Sequence, residues 1–253
     1  MSLVELFWPA FMLAILLVFI HTVFGLEIIR RGVIFTDLAI GQIAAVGMAL
    51  SVAFMDSHYQ GLMTFCFAII AALVITWATK NIPKIEAFIG LLYALGISSI
   101  MLVLAQSSEG TELFSKLSAA DILFTTAEDF YKSLALYGVV GAVMFWVYPR
   151  LDGLKKELLF FIMLAVTVTS SVQSAGVLVV FALLIAPSYA GLIQKWFSPY
   201  IFASLFGSFT LTIALIGSYY LDLPTGYAII FTTVGFSLVF VILLSIVKEH
   251  NEE

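Results

Sequence analysis

The chain has 253 residues, 62% of them hydrophobic and 11% charged, with a formal net charge of −5 and a mean hydropathy of +1.13. Soluble domains carry about 25% charged residues, so this chain has too little charge to cover a water-facing surface and reads as an integral membrane protein. No basic stripe interleaved with aromatics is present, which excludes nucleic-acid binding, and the one cysteine, Cys66, sits in an apolar run as a small core or lipid-facing residue.

A spanning helix needs about 20 apolar residues. On that rule the chain predicts helices over 3–25, 33–55, 61–79, 87–105, 133–149, 157–173, 199–221 and 224–247. No basic residue precedes the first apolar run, which continues to span length, so it reads as a retained helix and not a cleaved leader. His21, near the cytoplasmic end of that helix, reads as a packed or interfacial histidine.

The second helix opens with a polar run inside an apolar one: Arg30-Arg31-Gly32-Val33-Ile34-Phe35-Thr36-Asp37-Leu38-Ala39-Ile40-Gly41-Gln42. A carboxylate at the bilayer centre costs roughly 2.5–3.5 kcal/mol on insertion scales, so an intramembrane aspartate is by default a candidate functional site. Two readings of Asp37 stand side by side. With Thr36 it caps the amino end of the helix, where acidic groups are favoured, or it lines a polar path. Gln42 is either an interhelical hydrogen-bonding residue or part of that path. Asp37 and Gln42 are about 140° apart round the helix and roughly 7.5 Å along it, so Asp37 shares its face with Gly41 instead. The small residues Gly41, Ala45, Ala49, Gly47 and Ser51 recur at helical spacing, which predicts close helix–helix approach.

The outer loops hold Asp56-Ser57-His58-Tyr59-Gln60, Gln106 to Lys116 and Asp222-Leu223-Pro224-Thr225-Gly226, and Ala119-Ala120-Asp121-Ile122-Leu123-Phe124 suits a membrane interface. After the sixth helix, Ser174-Ala175-Gly176 punctuates the chain and an apolar run over 175–187 ends at Pro187. It is either half of one broken element or a short ninth span, and broken helices often line transport paths. Between Pro187 and Pro199 lies an amphipathic stretch with Ser188, Tyr189, Leu192, Ile193 and Lys195, suited to a groove on a partner or to the headgroup boundary with Trp196 as an anchor. With the amino terminus outside, Arg30, Arg31, Lys80, Lys84, Arg150, Lys155, Lys156, Lys195 and Lys248 fall on one side and only Lys116 and Lys132 on the other, which predicts a cytoplasmic first side. No G-x-x-x-x-G-K-[ST] loop occurs, so any ATP-driven engine belongs to a partner chain.

Taken together, these segments resemble the membrane permease of the metal-uptake ABC transporters, the ABC-3 family, which carry zinc, manganese or iron(II) into bacteria. The resemblance rests on Arg30 through Ala44, on Ile89-Gly90-Leu91-Leu92-Tyr93-Ala94-Leu95-Gly96, on Ala120-Asp121-Ile122-Leu123, and on the stretch from Gly176 to Pro187 followed by Ser188-Tyr189-Ala190. It implies an all-α polytopic protein of eight or nine transmembrane helices, one of them broken, with residues 1–253 forming a single permease domain in the bacterial inner membrane. It also implies a non-enzymatic subunit with no cofactor of its own. Its partners would be a second permease copy in a homodimer, two cytoplasmic ATPase subunits that bind ATP, an extracytoplasmic substrate-binding protein, and membrane lipid. Asp37 matches the family's aspartate as a metal contact, with Gln42 beside it in the transport path. Pro187, Ser188, Tyr189, Leu192, Ile193 and Lys195 would couple to the ATPase. The family's histidine, four residues after the aspartate, is absent, and Gly41 stands there. Without imidazole, oxygen donors remain, which suit harder ions such as Mn²⁺; the loss fits equally a different cargo or a site formed elsewhere. The alternative is a secondary transporter or channel that uses Asp37 as a proton or sodium site.

Overall fold

The computed structural model describes residues 3–55, 58–105 and 122–252. Among these, nine α-helices follow in chain order with no strand: α1 Leu3–Arg31, α2 Thr36–Phe54, α3 Gln60–Asn81, α4 Ile85–Leu104, α5 Ala127–Ala142, α6 Gly153–Ala175, α7 Val177–Ile193, α8 Pro199–Leu221 and α9 Thr225–Glu252. Among the described residues, eight segments are long and apolar enough to cross a membrane, the fifth being α5 with its continuation to Arg150, whereas α7 is shorter. This is the all-α, multi-pass architecture expected. The break expected in one helix falls at Gly176, whose φ of +85° only glycine adopts readily.

The boundaries differ most from the sequence reading at three places, each for a local reason. The first helix runs on through Glu27 to Arg31, whose guanidinium pairs with Glu27 Oε1 at 3.2 Å one turn back. α5 starts six residues early because Thr126 and Asp129 form a reciprocal cap: Asp129 Oδ2 accepts from the Thr126 hydroxyl at 2.6 Å and from its N–H at 3.1 Å, and the Asp129 N–H donates to Thr126 Oγ1 at 3.2 Å. α7 does not end at Pro187 but passes through it to Ile193. The amphipathic stretch expected from Pro187 to Pro199 is therefore helix for its first half.

The described residues pack as two compact units, one within Gly32–Ala120 and Lys132–Val177, the other within Met1–Arg31, Asp121–Tyr131 and Leu178–Glu253. In the first, α2 is the central helix, packed on α3, α4 and α6. Its small residues admit each neighbour in turn. Gly47 meets the Met63 carbonyl of α3, Ala45 and Ala49 pack on Ile100 and Leu104 of α4, and Gly41 faces valines of α6. Gly96 of α4 faces Gln42, where an added Cβ would stand 2.8 Å from the Gln42 Cβ.

In the second unit, α1 packs on α8 and α8 on α9. Here α7 is held by three glycine contacts. Gly25 of α1 meets the Leu184 carbonyl and the Ser188 hydroxyl, Gly207 of α8 meets Pro187, and Gly191 of α7 meets the Pro199 carbonyl and Ala203. With little hydrophobic drive between helices in lipid, such close backbone approach is the main packing device.

Candidate functional site

The amino end of α2 is held from α4. Phe35 precedes the helix, and its N–H donates to Glu86 Oε1 at 3.1 Å, Glu86 lying in the first turn of α4. The Thr36 hydroxyl donates to the Val33 carbonyl at 2.7 Å, closing the turn before the helix and capping nothing. Asp37 therefore has no capping hydrogen bond either. It is 1% exposed, and neither of its carboxylate oxygens has a hydrogen-bond partner. The amides of Asp37 and Leu38 lie near it at the positive end of the helix dipole, outside hydrogen-bond geometry. A buried carboxylate left so is costly unless a cation or a proton joins it.

Gln42 and Gly41, the residues that the sequence set near Asp37, meet different neighbours. Gln42 is buried, and its backbone and Cβ face Gly96 of α4. Gly41 points instead at Val168 and Val172 of α6 and at Val177, so the place of the family's histidine is filled by hydrocarbon. Among the described residues no three His, Cys, Asp or Glu side chains come together as a metal cage. His21 is fully buried, with Nδ1 2.7 Å from the Leu17 carbonyl.

Glu86 is the acidic residue that sequence reasoning passed over. Its Oε2 is buried without a hydrogen-bond partner. The available signal was its place as the one acid in the first turn of an apolar span.

At the other candidate region, Pro187 and Ser188 are buried, Tyr189 and Lys195 are exposed, and Leu192 and Ile193 are half-buried. The loop after α7 is built round Gln194, which is 3% exposed. Its Nε2 donates to the carbonyls of Gly191 at 3.0 Å and Phe197 at 2.9 Å, and its Oε1 accepts the N–H groups of Trp196 at 2.8 Å and Phe197 at 2.9 Å. A side-chain amide, with two donors and an accepting oxygen, fills this role where a charged residue would not. The loop displays Trp196 and Phe197, each 65% exposed. Asp56, Ser57, the loop from Gln106 to Lys116 and the Ala119-Ala120-Asp121 part of the interfacial run lie outside the described residues.

A model of the ABC 3 transport family matches residues 4–246. The chain is 27% identical over 203 residues to the "Probable iron transport system membrane protein" of Haemophilus influenzae, covering 73% of this chain and 71% of that protein. It is 28% identical over 230 residues to the manganese transport system membrane protein MntC of Listeria monocytogenes, covering 82% and 80%. Its fold is that of a chain in the structure of PsaBC from Streptococcus pneumoniae in complex with Fab, with a TM-score of 0.76 at 21% identity over 92% of this chain and 90% of that one. With the family model spanning nearly the whole sequence, the chain belongs to the ABC 3 transport family, as a membrane-spanning permease subunit and not an enzyme.

Proposed function

We propose that this permease moves a divalent transition-metal cation, manganese, iron or zinc, into the cytoplasm, and that Asp37 is its contact within the membrane. The observation that carries the reading is the Asp37 carboxylate itself, buried on a spanning helix with both oxygens unbonded. Relatives named for iron and for manganese transport support the cargo class. The glycine at position 41 withholds the imidazole that zinc favours, and an oxygen-only contact suits Mn²⁺ best. One carboxylate holds an ion weakly, as a transport path must if the ion is to leave.

The complete system in this reading has two permease copies, two cytoplasmic ATPase subunits and an extracytoplasmic binding protein. Nucleotide binding draws the ATPases together. The exposed Tyr189, Lys195, Trp196 and Phe197 receive them, and the half-buried Leu192 and Ile193 back that contact. Pro187 and Ser188 act inside the protein, by fixing α7 against α1 and α8. The test is co-purification with the ATPase, then ATP hydrolysis in proteoliposomes with the binding protein and Mn²⁺. Hydrolysis stimulated by Mn²⁺ supports the reading. Hydrolysis indifferent to metal, or uptake abolished by collapsing ion gradients with ATP present, contradicts it.

A further inference from the structure

Gly41 shares the face of α2 with Asp37, one turn further on, and it forms a notch. A Cβ added there would stand 2.9 Å from Val177 Cγ2, 3.6 Å from Val168 Cγ1 and 3.7 Å from Val172 Cγ2. The first distance is tighter than real Cβ contacts, so a side chain at position 41 would oblige the Val177 methyl group to shift. Val168 and Val172 belong to α6, while Val177 opens α7 directly after the helix break at Gly176. All three valines are buried.

The other close glycines of this unit face unbroken helices, Gly47 towards α3 and Gly96 towards α2. Gly41 alone among these three meets a break. The chain also leaves this unit immediately after the contact, for Val177 is its last residue and Leu178 begins a stretch of the other.

We propose that Val177, seated in the Gly41 notch, is a positioning contact for transport: it pins the α6–α7 junction to the Asp37 face of α2, so that a change at the junction is felt at the carboxylate. The proposal rests on the reading of Asp37 as the cation's contact. The two residues touch no cargo. They set where the carboxylate stands relative to the break.

The test is Mn²⁺ uptake by the assembled complex in proteoliposomes, read as the half-saturating concentration and the maximal rate per complex. Gly41→Ala puts a methyl group against Val177 and is expected to raise the half-saturating concentration roughly tenfold, equivalent to ~1.4 kcal/mol. Adding Val177→Ala removes the opposing methyl groups and is expected to restore it to within about threefold of wild type. A purely structural role would lower the amount of assembled complex and leave the half-saturating concentration alone. An unchanged value in Gly41→Ala, or a double variant no better than the single one, overturns the proposal. If Gly41→Ala does not assemble, Val177→Ala alone reads the contact from its other side. It is expected to shift the half-saturating concentration about threefold, and no shift overturns the proposal. Asp37→Asn is run in parallel. If it transports like wild type, the Asp37 reading has failed; if it is inactive while Gly41→Ala has a wild-type half-saturating concentration, only the positioning contact has failed.

Discussion

The ring of Pro187 packs against Gly207: a Cβ on Gly207 would stand 3.0 Å from Pro187 Cγ and 2.8 Å from Val18 Cγ1. A proline inside a helix loses one hydrogen bond and crowds the carbonyl four residues back, at a cost of about 3 kcal/mol. In a membrane this is tolerated where neighbouring helices take up the freed groups. The glycine gives the ring a flat surface, and α7 continues past it to Ile193.

Gly207→Ala should therefore destabilise the protein by about 1–3 kcal/mol, the range for overpacking a close contact. Gly217→Ala, in the same helix with nothing within 4 Å of its added Cβ, is the control and should be neutral or slightly stabilising. Thermal unfolding of the detergent-purified protein, followed by size-exclusion chromatography, should show a lower midpoint for the first and not the second.

Most of this fold is written in hydropathy, because a bilayer asks each span for one thing, a run of about 20 apolar residues. The eight long helices and the small-residue face of α2 were legible on those terms. What hydropathy hides is polar and local. Thr126 and Asp129 start α5 inside a charged stretch, and Pro187 resembles a terminus until Gly207 is placed against it. The site was legible in part. Asp37 is conspicuous as a carboxylate in an apolar helix, but its lack of partners, the Glu86 bond to Phe35 and the valines at Gly41 come from long-range packing.

Gln194 holds both ends of the loop that presents Trp196 and Phe197. Gln194→Ala removes four hydrogen bonds and leaves buried backbone groups unmet, at about 1–3 kcal/mol for each that water does not reach. The permease should still insert, while ATPase co-purification falls and uptake per hydrolysed ATP drops. Trp196→Asp should weaken co-purification with less effect on thermal stability, since Trp196 is mostly exposed. Wild-type binding in both variants would move the contact to another loop, with 80–86 the first candidate.

Sidedness follows from the basic residues, nine of eleven of which collect on one side in the sequence reading. In a Cys66→Ser background, His58→Cys should react with an impermeant thiol reagent added to intact cells. Asp152→Cys should react only after permeabilisation. Both positions are exposed, so accessibility within the fold does not confuse the comparison. The reverse pattern would invert the topology.

Glu86 fixes the start of α2 by accepting the Phe35 N–H. Glu86→Gln retains an accepting oxygen and loses the charge, whereas Glu86→Ala loses both. If the role is to hold the turn before Asp37, Gln should retain most uptake and Ala should reduce it several-fold, with stability lowered by roughly 1 kcal/mol. Equal loss in the two variants would instead make the charge itself the requirement, as expected of a second oxygen donor for the cation.

If the buried carboxylate of Asp37 moves the cation, Asp37→Asn should stop transport without harming the fold. The amide keeps the volume and hydrogen-bonding capacity and removes the charge, so insertion and ATPase assembly should survive. Initial rates of ⁠Mn²⁺ uptake are measured in proteoliposomes containing the full complex, over a range of metal concentrations, with Gln42→Ala as the comparison. Uptake by Asp37→Asn should fall at least tenfold at every concentration, with a smaller defect in Gln42→Ala, tenfold corresponding to about 1.4 kcal/mol of lost stabilisation. Wild-type uptake by Asp37→Asn across that range would place the cation's path away from α2.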